Sequence, residues 1–140
     1  MIQRIQTLWL LAASATAFCT LKLSFFSGNI LVNNLKQFQR FTALSHLLLT
    51  IFTVVVAAGA LVTIFLYKDR KKQFRIGAAL MILSIVNLII NYTQTKNYIP
   101  NEWTFDFTAL LSLAIPFFLF LAMRGIYKDD KLIKSTDRLR

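Results

Sequence analysis

Only six residues of this 140-residue chain are Asp or Glu, one is His and one is Cys. Each scarcity excludes something. A single cysteine, Cys19, rules out an intramolecular disulfide. With one histidine, His46, no haem can be held by two histidines, and His46 with Cys19 falls short of the three or four ligands a metal site requires. The four glycines are scattered at 28, 59, 77 and 125, so there is no glycine-rich phosphate loop. No pair of acids falls inside an apolar run, which removes the usual general acid-base arrangement. No stretch is rich in Pro, Gly or Ser and no internal repeat is present, so neither a linker nor a second module is expected. The expectation is a chain that is not an enzyme, with no catalytic residues, cofactor or metal.

What the chain has in quantity is apolar sequence. Hydrophobic residues make up 56% and the mean hydropathy is +0.58. Four runs carry most of it, at 7–26, 44–67, 76–92 and 107–123. The last three contain no Asp, Glu, Lys or Arg, and the first contains only Lys22. About 20 apolar helical residues, with a lower limit near 17, cross a hydrocarbon core about 30 Å thick. Membrane strands would alternate apolar and polar residues, and these runs do not. The predicted fold is an all-α membrane protein, with four transmembrane helices in one antiparallel bundle over residues 1–140. Residues 1–6 form a short basic lead. The run that follows mimics a secretory leader, with Ala15-Thr16-Ala17 resembling a cleavage site, yet it is read as the first span.

The net charge is +10, and its placement predicts topology. Lys and Arg accumulate in cytoplasmic segments of membrane proteins. With the N-terminus inside, 12 of the 16 basic residues fall on the inner side: Arg4, the cluster from Lys68 to Arg75, and those of the tail at 124–140. Both termini are therefore expected in the cytoplasm.

Between the first two spans, Ser27-Gly28-Asn29 reads as a turn. Leu31, Leu35, Phe38 and Phe41 follow at helical spacing, which predicts a short amphipathic helix in the outer interface, with an irregular loop as the alternative. The loop at 68–75 is short enough to make the second and third helices antiparallel neighbours. Pro116 should kink the fourth helix. Tyr92, Tyr98 and Trp103 fall where interfacial aromatics belong. The first helix is dense in small residues, which suit close contact between helices.

Two groups of residues are candidate sites. The topology places Lys22, His46, Asn87, Asn91 and Asp106 at one level near the outer interface. They could form an outward-facing polar pocket, or simply hydrogen-bond between helices with Lys22 reaching to the interface. On the inner side, Arg70, Lys71, Lys72, Lys131, Lys134, Arg138 and Arg140 could dock a partner or attract anionic phospholipid. Leu132, Thr136 and Leu139 share one helical face of that tail. Direct nucleic-acid binding is not expected, because no aromatic residues interleave with the basic cluster at 68–75.

Three stretches are familiar: Met1-Ile2-Gln3-Arg4-Ile5-Gln6-Thr7-Leu8, the inner loop from Phe65 to Gln73, and the tail Arg124-Gly125-Ile126-Tyr127-Lys128-Asp129-Asp130 onward. Together they resemble a family of small four-helix inner-membrane proteins of Bacteroidota, known as domain of unknown function 4293. The resemblance implies a Gram-negative inner membrane and supplies no activity. The reading that follows is a non-catalytic accessory subunit of a larger membrane complex, one handling protein translocation or insertion being a candidate. The alternative is a small transporter or ligand-binding membrane protein that uses the outer polar cluster.

Overall fold

The computed structural model describes residues 5–33 and 35–137, with side chains up to 131. Four helices form the body: α1 (Ile5–Thr20), α2 (Leu47–Phe65), α3 (Arg70–Thr93) and α4 (Ala109–Asp137). A sheet of three strands caps one end: β1 (Ser24–Val32), β2 (Leu35–Thr42) and β3 (Trp103–Phe105). The helices alternate in direction and pack around a square, α1 against α2 and α4, and α3 against α2 and α4. Both ends of the described chain therefore lie at the end of the bundle opposite the sheet.

Three helices are long and apolar enough to cross a membrane, within Leu47–Phe65, Arg70–Asn97 and Ala109–Lys131. The first expected span is corrected. Helix α1 has 16 residues, or about 24 Å at 1.5 Å per residue, and it ends at Thr20 rather than at Phe26. The amides of Leu21 and Lys22 bond back to Phe18 and Cys19, tightening and closing the last turn. Ser24, Phe25 and Phe26 already belong to β1.

The expected amphipathic helix is a β-hairpin instead, and the irregular-loop alternative fails with it. Its register pairs Phe26 with Phe41 and Val32 with Leu35. Asn33 turns the chain with φ 51°, a left-handed conformation that Asn tolerates well. The apparent helical spacing was coincidental. On the strands, Leu35 and Phe41 point to one face while Leu31 and Phe38 point to the other, as period-two geometry requires. Gly28 is not in a turn but in mid-strand, opposite Gln39 on one side and Trp103 on the other. A Cβ there would lie 2.5 Å from Trp103 Cβ, so glycine permits this close approach.

The sheet face toward the bundle is aromatic. Phe26 is fully buried, stacks on Phe41 at 4.7 Å and meets the edge of Tyr98 at 5.0 Å. Tyr98 is thus part of a second core rather than an interfacial anchor, and burial pushes its phenol above its ordinary pKa. Complete burial of one such ring contributes about 1.5–3 kcal/mol. The bundle core is built from Leu10, Val56, Leu80, Ile115 and Leu119, with small residues Ala13, Ala17, Ala57, Ala60 and Ala122 among them. Ser14 Oγ donates to the Ala57 carbonyl at 2.9 Å, across the tight α1–α2 contact. Gly59 sits where a Cβ would meet Leu80, and Gly125 where one would meet Gln6. The small residues of α1 do mark helix packing, though only on one side: Ala15 and Cys19 are exposed.

The remaining boundaries also move. The basic segment expected as a loop at 68–75 is mostly helix, because Asp69 caps α3 by accepting from the Lys72 amide. The connection shrinks to residues 66–69, and α2 and α3 are neighbours as expected. Helix α4 runs through Pro116 and continues to Asp137, so the described part of the tail is an extension of the same helix.

Candidate functional site

Under the sheet, polar groups from all four helices converge on the bundle interior. Asn87 Nδ2 donates to Thr53 Oγ1 at 3.0 Å. Ser84 and Asn91 stand on the same face of α3, while Thr20 and Ser112 face them from α1 and α4. They enclose a chamber of about 10 Å³, room for one water-sized group. The hydroxyls all use their protons locally. Thr53 donates to Leu49, Ser84 to Met81, Thr20 to Ala17 and Ser112 to Ala109, each to a carbonyl of its own helix. What they can offer the chamber is therefore lone pairs. Asn87 Oδ1 and Asn91 Oδ1 are buried and have no donor among the described residues. The chamber is rich in acceptors.

Beside it, between α3 and α4, lies a groove of about 700 Å³. Leu88, Ile89, Leu110 and Leu113 form its walls, and Phe25, Phe26 and Phe105 of the sheet roof it. Its polar side chains are Asn91, Ser112, Asp106 and Tyr92, of which only Asp106 carries a charge. Asn91 and Ser112 border both the groove and the chamber. Asp106 is held from above: its Oδ1 accepts from Ser27 Oγ at 2.9 Å and its amide donates to the Phe25 carbonyl.

The expected outer cluster therefore divides. Asn87 and Asn91 meet at the chamber, and Asn91 and Asp106 at the groove. Lys22 is exposed in the turn after α1 and lines neither cavity. His46 sits at the N-cap of α2 without a side-chain capping bond and also lines neither; its Nδ1 is buried with no partner among the described residues. Ser112 was not foreseen, because nothing in an apolar run marks which serine faces inward until the helices are docked.

At the opposite end, Arg70, Lys71 and Arg75 border a second opening of about 320 Å³ with Phe74, Tyr127 and Asp130. Lys72 is turned away to Asp69, at 3.1 Å, and that contact holds the Asp69 carboxyl below its ordinary pKa. Lys131 is exposed. The side chains of Leu132, Lys134 and Thr136, and all of Arg138, Leu139 and Arg140, lie outside the described residues. On the sheet, Glu102 bonds Lys36 and also accepts from Asn29 Nδ2 at 3.0 Å. Those two donors, Lys36 first, hold its carboxyl below the usual range.

Among the described residues no group of three or more His, Cys, Asp or Glu could hold a metal ion. The family described as a domain of unknown function, DUF4293, matches residues 2–139. No curated protein and no solved structure matches the chain.

Proposed function

Because the chain belongs to the DUF4293 family, defined without an activity, its role has to come from its surfaces, and we propose a non-catalytic subunit of a larger membrane complex. The observation that carries this reading is the open edge of β2. The sheet order is β2-β1-β3, so β2 pairs on one side only. All its residues described from Leu35 to Arg40 are exposed, Leu35 and Phe38 by about two thirds each. Soluble and membrane proteins alike blunt such edges, because a free row of backbone donors and acceptors recruits another strand. Arg40 adds positive charge beside it, which suits an acidic extended segment of a partner protein. An edge of this kind fits an assembly that handles translocating or inserting chains.

In this reading the protein lies in a Gram-negative inner membrane, with the sheet outside and both termini in the cytoplasm. The basic residues support the orientation, since Arg70, Lys71, Arg75, Arg124 and Lys128 all belong to the end opposite the sheet. The Arg70–Tyr127 opening then faces anionic lipid headgroups of the inner leaflet.

The test is a photo-crosslinking residue at Gln37 in the full-length protein, followed by purification in mild detergent. A single membrane protein should crosslink from Gln37 and co-purify stoichiometrically, and a Phe38→Lys change in the same strand should abolish both. Adducts only to lipid or to a second copy of the chain would overturn the subunit reading.

A further inference from the structure

The groove between α3 and α4 has a chemically defined end, and we propose that it binds a phospholipid with a primary-ammonium headgroup, phosphatidylethanolamine, through Asn91, Ser112 and Asp106. This goes beyond the subunit reading and rests on different elements. At about 700 Å³ the groove lies within the usual range for ligand sites. Its walls belong to two helices long and apolar enough to cross a membrane. Ile89, Leu110 and Leu113 are each more than half exposed along it, so it opens sideways. In a bilayer such a mouth meets hydrocarbon, and the occupant at hand is an acyl chain.

The polar end selects the headgroup. Asp106 presents a carboxylate, which only accepts hydrogen bonds when ionised. Ser112 has its proton on the Ala109 carbonyl, at 2.6 Å, so it presents lone pairs. Asn91 is 8% exposed, and its Oδ1 is buried with no donor among the described residues. No Lys, Arg or His lines the groove. An anionic group there would meet the Asp106 carboxylate with no cation to balance it, the Asn91 amide N–H groups and the Tyr92 hydroxyl being neutral donors only. A primary ammonium brings three N–H donors and one positive charge to three acceptors, of which one is charged. Its phosphate must then project past the groove toward the water side. A quaternary ammonium keeps the charge and loses the donors, whereas a glycerol head keeps donors and has the wrong net charge. Neither satisfies both requirements.

Native mass spectrometry of the full-length protein, with phosphatidylethanolamine, phosphatidylcholine and phosphatidylglycerol of matched chains in equal amounts, tests this. The ethanolamine lipid should be retained about tenfold over either competitor, the scale of one lost charge-assisted hydrogen bond. Asp106→Asn, nearly isosteric and still able to accept from Ser27, should bring its retention down to that of phosphatidylcholine. Asn91→Leu should do the same. Leu113→Trp, which fills the apolar length without touching the polar end, should remove retention of all three lipids. Melting of each variant in lipid-free detergent separates lost binding from lost fold. Equal retention of the three lipids, as a groove reserved for a partner helix would give, overturns the proposal. So does an ethanolamine preference that survives Asp106→Asn in a folded protein.

Discussion

Asn87 donates to Thr53 across the α2–α3 contact, and the orientation of its amide is dictated by a third residue. The Thr53 hydroxyl gives its proton to the Leu49 carbonyl at 2.7 Å, so toward Asn87 it can only accept. The NH2 of Asn87 must face it and the carbonyl oxygen must face the chamber. Thr53→Val keeps the shape, removes the acceptor and leaves a donor unpaired inside the bundle. Melting in detergent should fall by about 0.6–1.7 kcal/mol, the range for single polar contacts between membrane helices. Thr53→Ser should restore it.

The small-residue surface of α1 makes a sharper prediction from structure than from sequence. Ala13 is fully buried between helices and Ala15 is exposed. Ala13→Leu should destabilise by about 1–3 kcal/mol through overpacking. Ala15→Leu should melt like the wild type. Equal effects at both positions would mean that α1 is packed differently.

Gly28 carries the β1–β3 contact. A side chain there would press on Trp103 Cβ at 2.5 Å and on the Glu102 carbonyl at 2.7 Å. Gly28→Val should separate β3 from β1 while leaving the β1–β2 hairpin paired. In a Trp9→Phe background, Trp103 emission should shift red, and hydrogen exchange should rise at residues 103–105 before it rises in the helices.

The sheet should also loosen in acid. The carboxyl of Glu102 is held below its ordinary value by Lys36 and Asn29, so its folded pKa lies under its unfolded pKa. Its contribution is present above the unfolded pKa and disappears as pH falls through the folded one. Exchange protection at residues 102–105 should therefore decline below the ordinary carboxylate range. In Glu102→Gln it should be lower at neutral pH and flat across that window.

Orientation is open to direct labelling. With Cys19→Ser as background, Asn97→Cys at the sheet end should react with a membrane-impermeant maleimide on intact cells. Lys128→Cys at the other end should react only after permeabilisation. The reverse pattern would invert the topology drawn from the basic residues.

The helices were legible because apolar length is a strong signal. Those of α2, α3 and α4 appear in the sequence as runs free of charge, but the polar continuations of α3 and α4, from Arg70 and on to Asp137, do not show in apolar length. The Asp69 cap starts α3 early. The sheet was hidden for a physical reason. Val32 and Leu35 flank an Asn-Asn pair, a recognised hairpin signal, but the exposed apolar residues around it fall equally well on a helical period. The strand period shows only in Phe26, Gly28, Ile30 and Val32, where a glycine interrupts it. The chamber was partly legible through Asn87 and Asn91, both members of the expected outer cluster. The groove was not, since it is made of ordinary leucines and acquires its meaning from Asp106 being anchored overhead by Ser27.

That anchoring has a consequence for biogenesis. Ser27 and Asp106 are 79 residues apart, and β1 lies between a partner made soon after it and one made much later. At roughly 5–20 residues per second, β3 follows β1 by on the order of 4–16 s. During that interval the far edge of β1 has no partner strand and Phe26 lacks its Tyr98 and Trp103 neighbours. The third strand is then a latch that closes only after the segment joining α3 to α4 has been made. A nascent chain stalled before residue 103 would therefore display an unfinished sheet, with one edge of β1 open.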